Sequence, residues 1–153
     1  MIGLVMNQIL TKCASKVQVA ISESLYHESL YKKIEDLVDK FKEPPMLSED
    51  QQVCDLELLE YHQKLFIQAF VSNVILPYTS YLTKENKCQA LITLYLELEE
   101  HDLISQQSSK KKKIQILSNF GKAYRKLKSI EYLDMSLKLF RQCYDIALTT
   151  QNG

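Results

Sequence analysis

The sequence predicts an all-α fold of antiparallel helical hairpins, and three observations carry that reading: where glycine is missing, which turn signals are absent, and how apolar residues recur. Glycine occurs only at positions 3, 121 and 153, so the 117 consecutive residues from Leu4 to Phe120 lack the residue that most readily takes positive φ. Tight β-hairpins favour Asn-Gly or Asp-Gly, and the first such pair is Asn152-Gly153. Apolar residues instead recur at three- and four-residue intervals, the period of a helix with one buried face. With 153 residues, 46% of them hydrophobic and 25% charged, the chain has the balance of a folded domain large enough to enclose a core.

Residues 1–43 form an N-terminal amphipathic segment. Leu10, Cys13, Val17, Ile21 and Leu25, then Leu30, Ile34, Leu37, Val38 and Phe41, make one stripe, interrupted near Tyr26-His27. Lys32, Lys33, Glu35, Asp36, Asp39 and Lys40 lie opposite it as a solvated face. Pro44-Pro45 ends the segment, because Pro45 disfavours helical geometry at Pro44 and neither residue donates a backbone hydrogen bond. Residues 46–153 supply the hairpins, and both segments read as one continuous domain.

Ser48-Glu49-Asp50-Gln51 has the form of a capping box and predicts a helix start. That helix is expected to pass through Leu58, His62, Leu65, Phe66, Ala69 and Phe70 to Leu76, with Pro77 as its end. Thr83 is expected to cap the next helix. Cys88, Leu91, Ile92, Tyr95, Leu96 and Leu98 are apolar over so wide an arc that a central position is predicted for it. An acidic end, Glu97 to Asp102, leads into a polar loop over Ser105 to Lys110, and the last two helices follow from about Ile114.

Several kinds of chemistry are excluded at this level. A phosphate loop, a dinucleotide fingerprint and a nucleophile elbow all need clustered glycines. Cys13, Cys54, Cys88 and Cys143 stand 41, 34 and 55 residues apart, with no histidine at zinc-finger spacing, so they read as core thiols in a reducing compartment. Glu60 and His62, at i and i+2, do not face each other on a helix. No catalytic residue, cofactor or metal ligand is therefore assigned. The N-terminus lacks the basic start and apolar run of a signal peptide, and Leu65–Leu76 is shorter than the ~20 residues that span a bilayer. The expectation is a cytoplasmic protein without a membrane segment.

Leu117, Phe120, Gly121 and Tyr124, followed by Ser136, Phe140 and Cys143, carry the one family signal. Their spacing resembles that of a tetratricopeptide repeat over residues 114–153, with Leu117 in the usual tryptophan position and three extra residues between the two helices. Small groups at Gly121, Ser136 and Cys143 would let two antiparallel helices approach closely, with Tyr124 and Phe140 filling the space beside them. Upstream there is no second copy at a fixed offset, so a tetratricopeptide-like solenoid and an irregular α-bundle both remain open. The resemblance implies a module that binds a protein or peptide and performs no catalysis. The alternative it implies is a peptide-responsive regulatory or sensor protein.

Charge suggests what such a module would bind. Eight basic residues and no acid fall between Lys110 and Lys128, although the whole chain is formally neutral. Nucleic acid is disfavoured by that neutrality, and an acidic peptide or helix is the expected partner. With Leu117, Phe120, Tyr124 and Leu127 turned inward, Ser118, Lys122, Arg125 and Lys126 fall on the outer side of their helix and form the candidate partner-binding row. By resemblance, that side lines the groove of a tetratricopeptide hairpin. The competing reading is a solvated face that pairs loosely with Glu97, Glu99, Glu100 and Asp102.

Overall fold

The computed structural model describes residues 6, 8, 9, 21–41 and 55–152, and every regular element among them is helical. Helix α1 is Ile21–Lys40, α2 is 55–84, α3 is Cys88–Glu100, α4 is Lys110–Lys126 and α5 is Ile130–Asn152. The all-α class is therefore established. Leu10, Cys13, Val17, Pro44-Pro45 and the capping box at Ser48–Gln51 lie outside the described residues.

Three helix ends turn without glycine. Asn86, Asp102 and Lys128 take φ of 58°, 55° and 55°, the left-handed region. At Asn86 the Lys87 N–H donates to Leu82 O and the Asn86 N–H to Thr83 O; Leu103 and Asp102 repeat the pattern on Leu98 and Glu99. These paired bonds satisfy carbonyls that a helix end otherwise leaves open. Scarce glycine thus did not prevent left-handed caps: an Asn, an Asp and a Lys occupy them. The connections after α2 and α4 are three residues long, so α2 pairs with α3, and α4 with α5, as antiparallel neighbours.

Pro77 does not end its helix, contrary to expectation. Helix α2 widens into a π-turn at Val71–Ile75 and continues through Leu76–Lys84. In the π-turn the Leu76 N–H donates to Val71 O, five residues back. The wider turn relieves the clash that a proline ring makes with the carbonyl four residues before it. Tyr26 Oη donates to Pro77 O at 3.1 Å, bringing α1 against this point. Because the helix runs on, Glu60–Lys84 is long and apolar enough to cross a membrane by length and composition. Half of its most apolar stretch is buried within the fold.

Thr83 is likewise not a cap. It lies inside α2, its Oγ1 donating to Thr79 O at 2.8 Å, and Lys87 precedes α3 without a side-chain cap. Leu25, placed inward by periodicity, is 63% exposed. His27 is buried instead and bonds Tyr78 Oη at 2.9 Å, so the inward row of α1 is His27, Leu30, Ile34 and Leu37. The stacking of Tyr26 on Tyr81, 4.0 Å between ring centroids, fixes that rotation.

Phe70, Tyr78, Leu91, Leu94, Leu98, Ile116, Phe120 and Leu139 form the deepest part of the core. Helix α3 is buried over a wide arc, as expected, but Leu96 faces outward. Helix α4 packs against α2, α3 and α5, and α2 packs against α1, α3 and α4, so these two helices join the rest. Phe140 is half-buried at the rim, and the residue that anchors α5 in the core is its neighbour Leu139.

The tyrosines at this junction make a testable contribution. Burial, with smaller contributions from Glu99 and Tyr124, pushes the Tyr95 phenol up to about 12, and burial also raises Tyr124. A phenol that resists ionisation when folded contributes stability fully present below its unfolded value of 10.0 and lost as pH rises toward about 12. Helix content followed by circular dichroism should therefore fall between about pH 10 and 12, and Tyr95→Phe should lessen the fall.

A candidate partner-binding surface on helix α4

Helix α4 begins four residues earlier than Ile114. Ser109 is its N-cap, its side chain accepting from the Lys112 N–H at 3.3 Å, so the four lysines form the first turn. Positive charge there opposes the helix dipole. Two of the lysines offset this by reaching polar partners: Lys112 Nζ donates to Ser72 Oγ at 3.3 Å, and Lys113 Nζ to Ser105 O at 3.4 Å. Lys110 and Lys111 remain exposed.

The buried side of α4 consists of Ile116, Leu117, Phe120, Gly121, Ala123 and Tyr124. At 100° per residue, this leaves Lys111, Gln115, Ser118, Lys122, Arg125 and Lys126 on the outer side. Helix α2 bounds the strip along one edge, where Asn119 Nδ2 donates to Thr79 Oγ1 at 3.3 Å. Helix α5 bounds the other, where Ser136 Oγ donates to Gly121 O at 2.8 Å and Cys143 Sγ approaches Ile114 O at 3.6 Å. The residues singled out for close approach, Gly121, Ser136 and Cys143, do lie at the contact between the last two helices.

The four proposed site residues share the outer side of α4 but lean in different directions. Ser118 is half-buried and donates to Gln115 O at 3.0 Å, within its own helix. Lys122 and Lys126 are exposed and border a shallow recess shared with Thr83, Asn86, Cys88, Leu91, Asn119 and Ala123. Lys126 Nζ donates to Asn86 Oδ1 across this recess. Arg125 leans the other way, its guanidinium carbon 6.0 Å from the centroid of the Phe140 ring. One residue step rotates a side chain by 100°, which is why Arg125 and Lys126 meet different neighbours.

The recess has a cavity volume of only about 10 Å³, far below the ~300 Å³ at which pockets begin to enclose a small molecule. Recognition here would use a surface rather than a cavity. Among the described residues, Lys122 and Arg125 have no carboxylate within ion-pair distance. Glu99 lies beside Tyr95 and Tyr124, on the side of α4 turned away from the basic row. The α3 acids thus do not neutralise these two charges.

Asn119 and Asn86 belong to the same surface and were not singled out by the sequence, whereas Lys111 was counted in the basic window but not in the binding row. Asn119 precedes Lys122 by three positions, so helical spacing carried a usable signal. Asn86 is 40 residues from Lys126, and no local pattern links them. Two histidines have structural partners: His27 bonds Tyr78, and His62 Nε2 bonds Phe41 O at 2.8 Å. Glu97, Glu100 and His101 bring ligand atoms within 4.8 Å of one another at the end of α3, but no second feature there points to an ion. The chain matches no family model, and no curated protein or solved structure is detectably similar to it.

Proposed function

We propose that the protein is a non-catalytic interaction module whose α4 strip binds an acidic peptide or an acidic helix. The observation that carries this reading is the basic row Lys111, Lys122, Arg125 and Lys126, held between α2 and α5, in which Lys122 and Arg125 meet no carboxylate among the described residues. Two consecutive hairpins, with α4 set against both α2 and α3, are the contacts expected of a tetratricopeptide-like stack, in which the first helix of each pair lines the groove. Arg125 offers two parallel donors to a carboxylate, and Lys122 adds a point charge about one turn away. The Phe140 ring, 6.0 Å from the Arg125 guanidinium carbon, favours a position of the fork toward α5.

The test is affinity capture from the native host with mass-spectrometric identification, run in parallel on the wild type and on Lys122→Glu combined with Arg125→Glu. The double reversal is expected to abolish capture of the main partner while leaving the melting temperature within about 2 °C, because both residues are exposed. Wild-type capture should weaken as ionic strength rises from about 0.1 M to about 0.5 M. Undiminished capture by the double variant would leave the basic row a solvated face.

A further inference from the structure

Helix α5 carries a second unpartnered surface, different in chemistry from the first. Ile130, Leu133, Leu137, Tyr144 and Leu148 recur at intervals of three, four or seven, within an arc of about 60°. All five are exposed, Ile130 at 81% and Leu137 at 60%. Scattered exposed apolar residues are ordinary; a continuous row along one helix marks an interaction surface.

The charges beside this row select its occupant. Asp134, Lys138, Arg141 and Asp145 flank one edge, with Glu131 furthest round on the same side, whereas the other edge carries Phe140 and Ala147. Asp134 and Lys138 stand two positions either side of Ser136, and Glu131 and Arg141 five positions either side. We infer that α5 pairs with α5 of a second copy of this chain, antiparallel, about a two-fold axis level with Ser136.

In an antiparallel pair like edges meet. Each Asp134 then faces a Lys138 and each Glu131 an Arg141, four complementary contacts from two residue pairs. Leu137 of each copy falls between Leu133 and Leu137 of the other, and Ile130 falls between Phe140 and Tyr144. Parallel pairing brings the charged edge against the uncharged one. A register slip of four residues, which moves the two-fold axis level with Lys138, sets Lys138 against Lys138 and Glu131 against Asp145, so charge disfavours both alternatives.

One helix pair covers less than the ~800 Å² per partner of a standard stable interface, so the expected dissociation constant is on the order of 10 µM. Sedimentation of the full chain from about 1 to 300 µM should accordingly pass from monomer to dimer. Leu137→Glu, and separately Ile130→Lys, should raise the dissociation constant at least about tenfold with helix content retained. Lys138→Glu alone should weaken the dimer, and adding Asp134→Lys should restore it, because the exchange re-forms both pairs with reversed sign.

A wild type that stays monomeric throughout, or association untouched by both apolar variants, overturns the proposal. So does a charge-exchanged double variant as weak as the single one. Because Lys122 and Lys126 border the recess on the α2 side of α4, away from Phe140, Lys122→Glu with Lys126→Glu should leave this association unchanged, which separates failure here from failure of the partner-binding reading.

Discussion

Phe120→Ala is expected to destabilise the fold by about 3–5 kcal/mol, the cost of truncating a fully buried aromatic in a core that cannot collapse around the gap. Phe120 sits at the middle of α4, the helix against which α2, α3 and α5 pack, and its ring centroid is 5.1 Å from that of Tyr95 on α3. The loss removes both its own burial and the ring contact that helps hold the two hairpins together. Against a total stability of about 5–15 kcal/mol, a change of this size should lower the urea midpoint sharply. Arg125→Ala, one turn further on but exposed, should stay within about 0.5 kcal/mol. Equal effects at the two positions would mean that the inward face of α4 is misassigned.

Gly121→Leu is expected to cost about 1–3 kcal/mol, even though leucine is the better helix former by about 1 kcal/mol. A Cβ at Gly121 would stand 3.0 Å from Phe140 Cζ and 3.1 Å from Cε2, tighter than ordinary contact. Ser136 donates to the Gly121 carbonyl one turn earlier on α5, so neither helix can draw back without losing a buried hydrogen bond. Phe140→Ala opens the space that leucine needs. The double variant should therefore be more stable than the sum of the single effects by at least about 1 kcal/mol, read as a coupling energy from denaturation midpoints. Strict additivity would show that Gly121 and Phe140 do not meet across the α4–α5 contact.

How much of this was legible beforehand varies residue by residue. Leu117, Phe120 and Tyr124 were read as inward and are buried, because a 3.6-residue period on a long helix is a local property. Gly121 and Ser136 were read as a close approach and do meet. Phe140 was expected to fill the space beside Gly121 and its ring does lie there, but it stays half-buried while its neighbour Leu139 reaches the deepest core. Where small residues let helices come close, the large neighbour is displaced to the rim, and a one-residue step settles which of the two goes inward. Ser118, Lys122, Arg125 and Lys126 were correctly placed on the outer side, yet the division of Arg125 toward α5 and Lys126 toward Asn86 depends on helices distant in sequence.

The sequence by itself determined the all-α class and the inward face of α4, because glycine scarcity and apolar period act within a few residues of one another. Only the tertiary structure decided that α2 runs through Pro77. A proline's clash with its own helix is a local fact, whereas the π-turn that relieves it is held among Phe70, Val71, Val74 and Tyr78 in a core built from several helices. It also decided that α2 and α4, rather than α3, each pack against three other helices, and that the lysines of the first turn of α4 split between partners on α2, partners in the preceding loop, and solvent. Those outcomes depend on which helices meet in space, a choice that packing makes across tens of residues and that no single helix encodes.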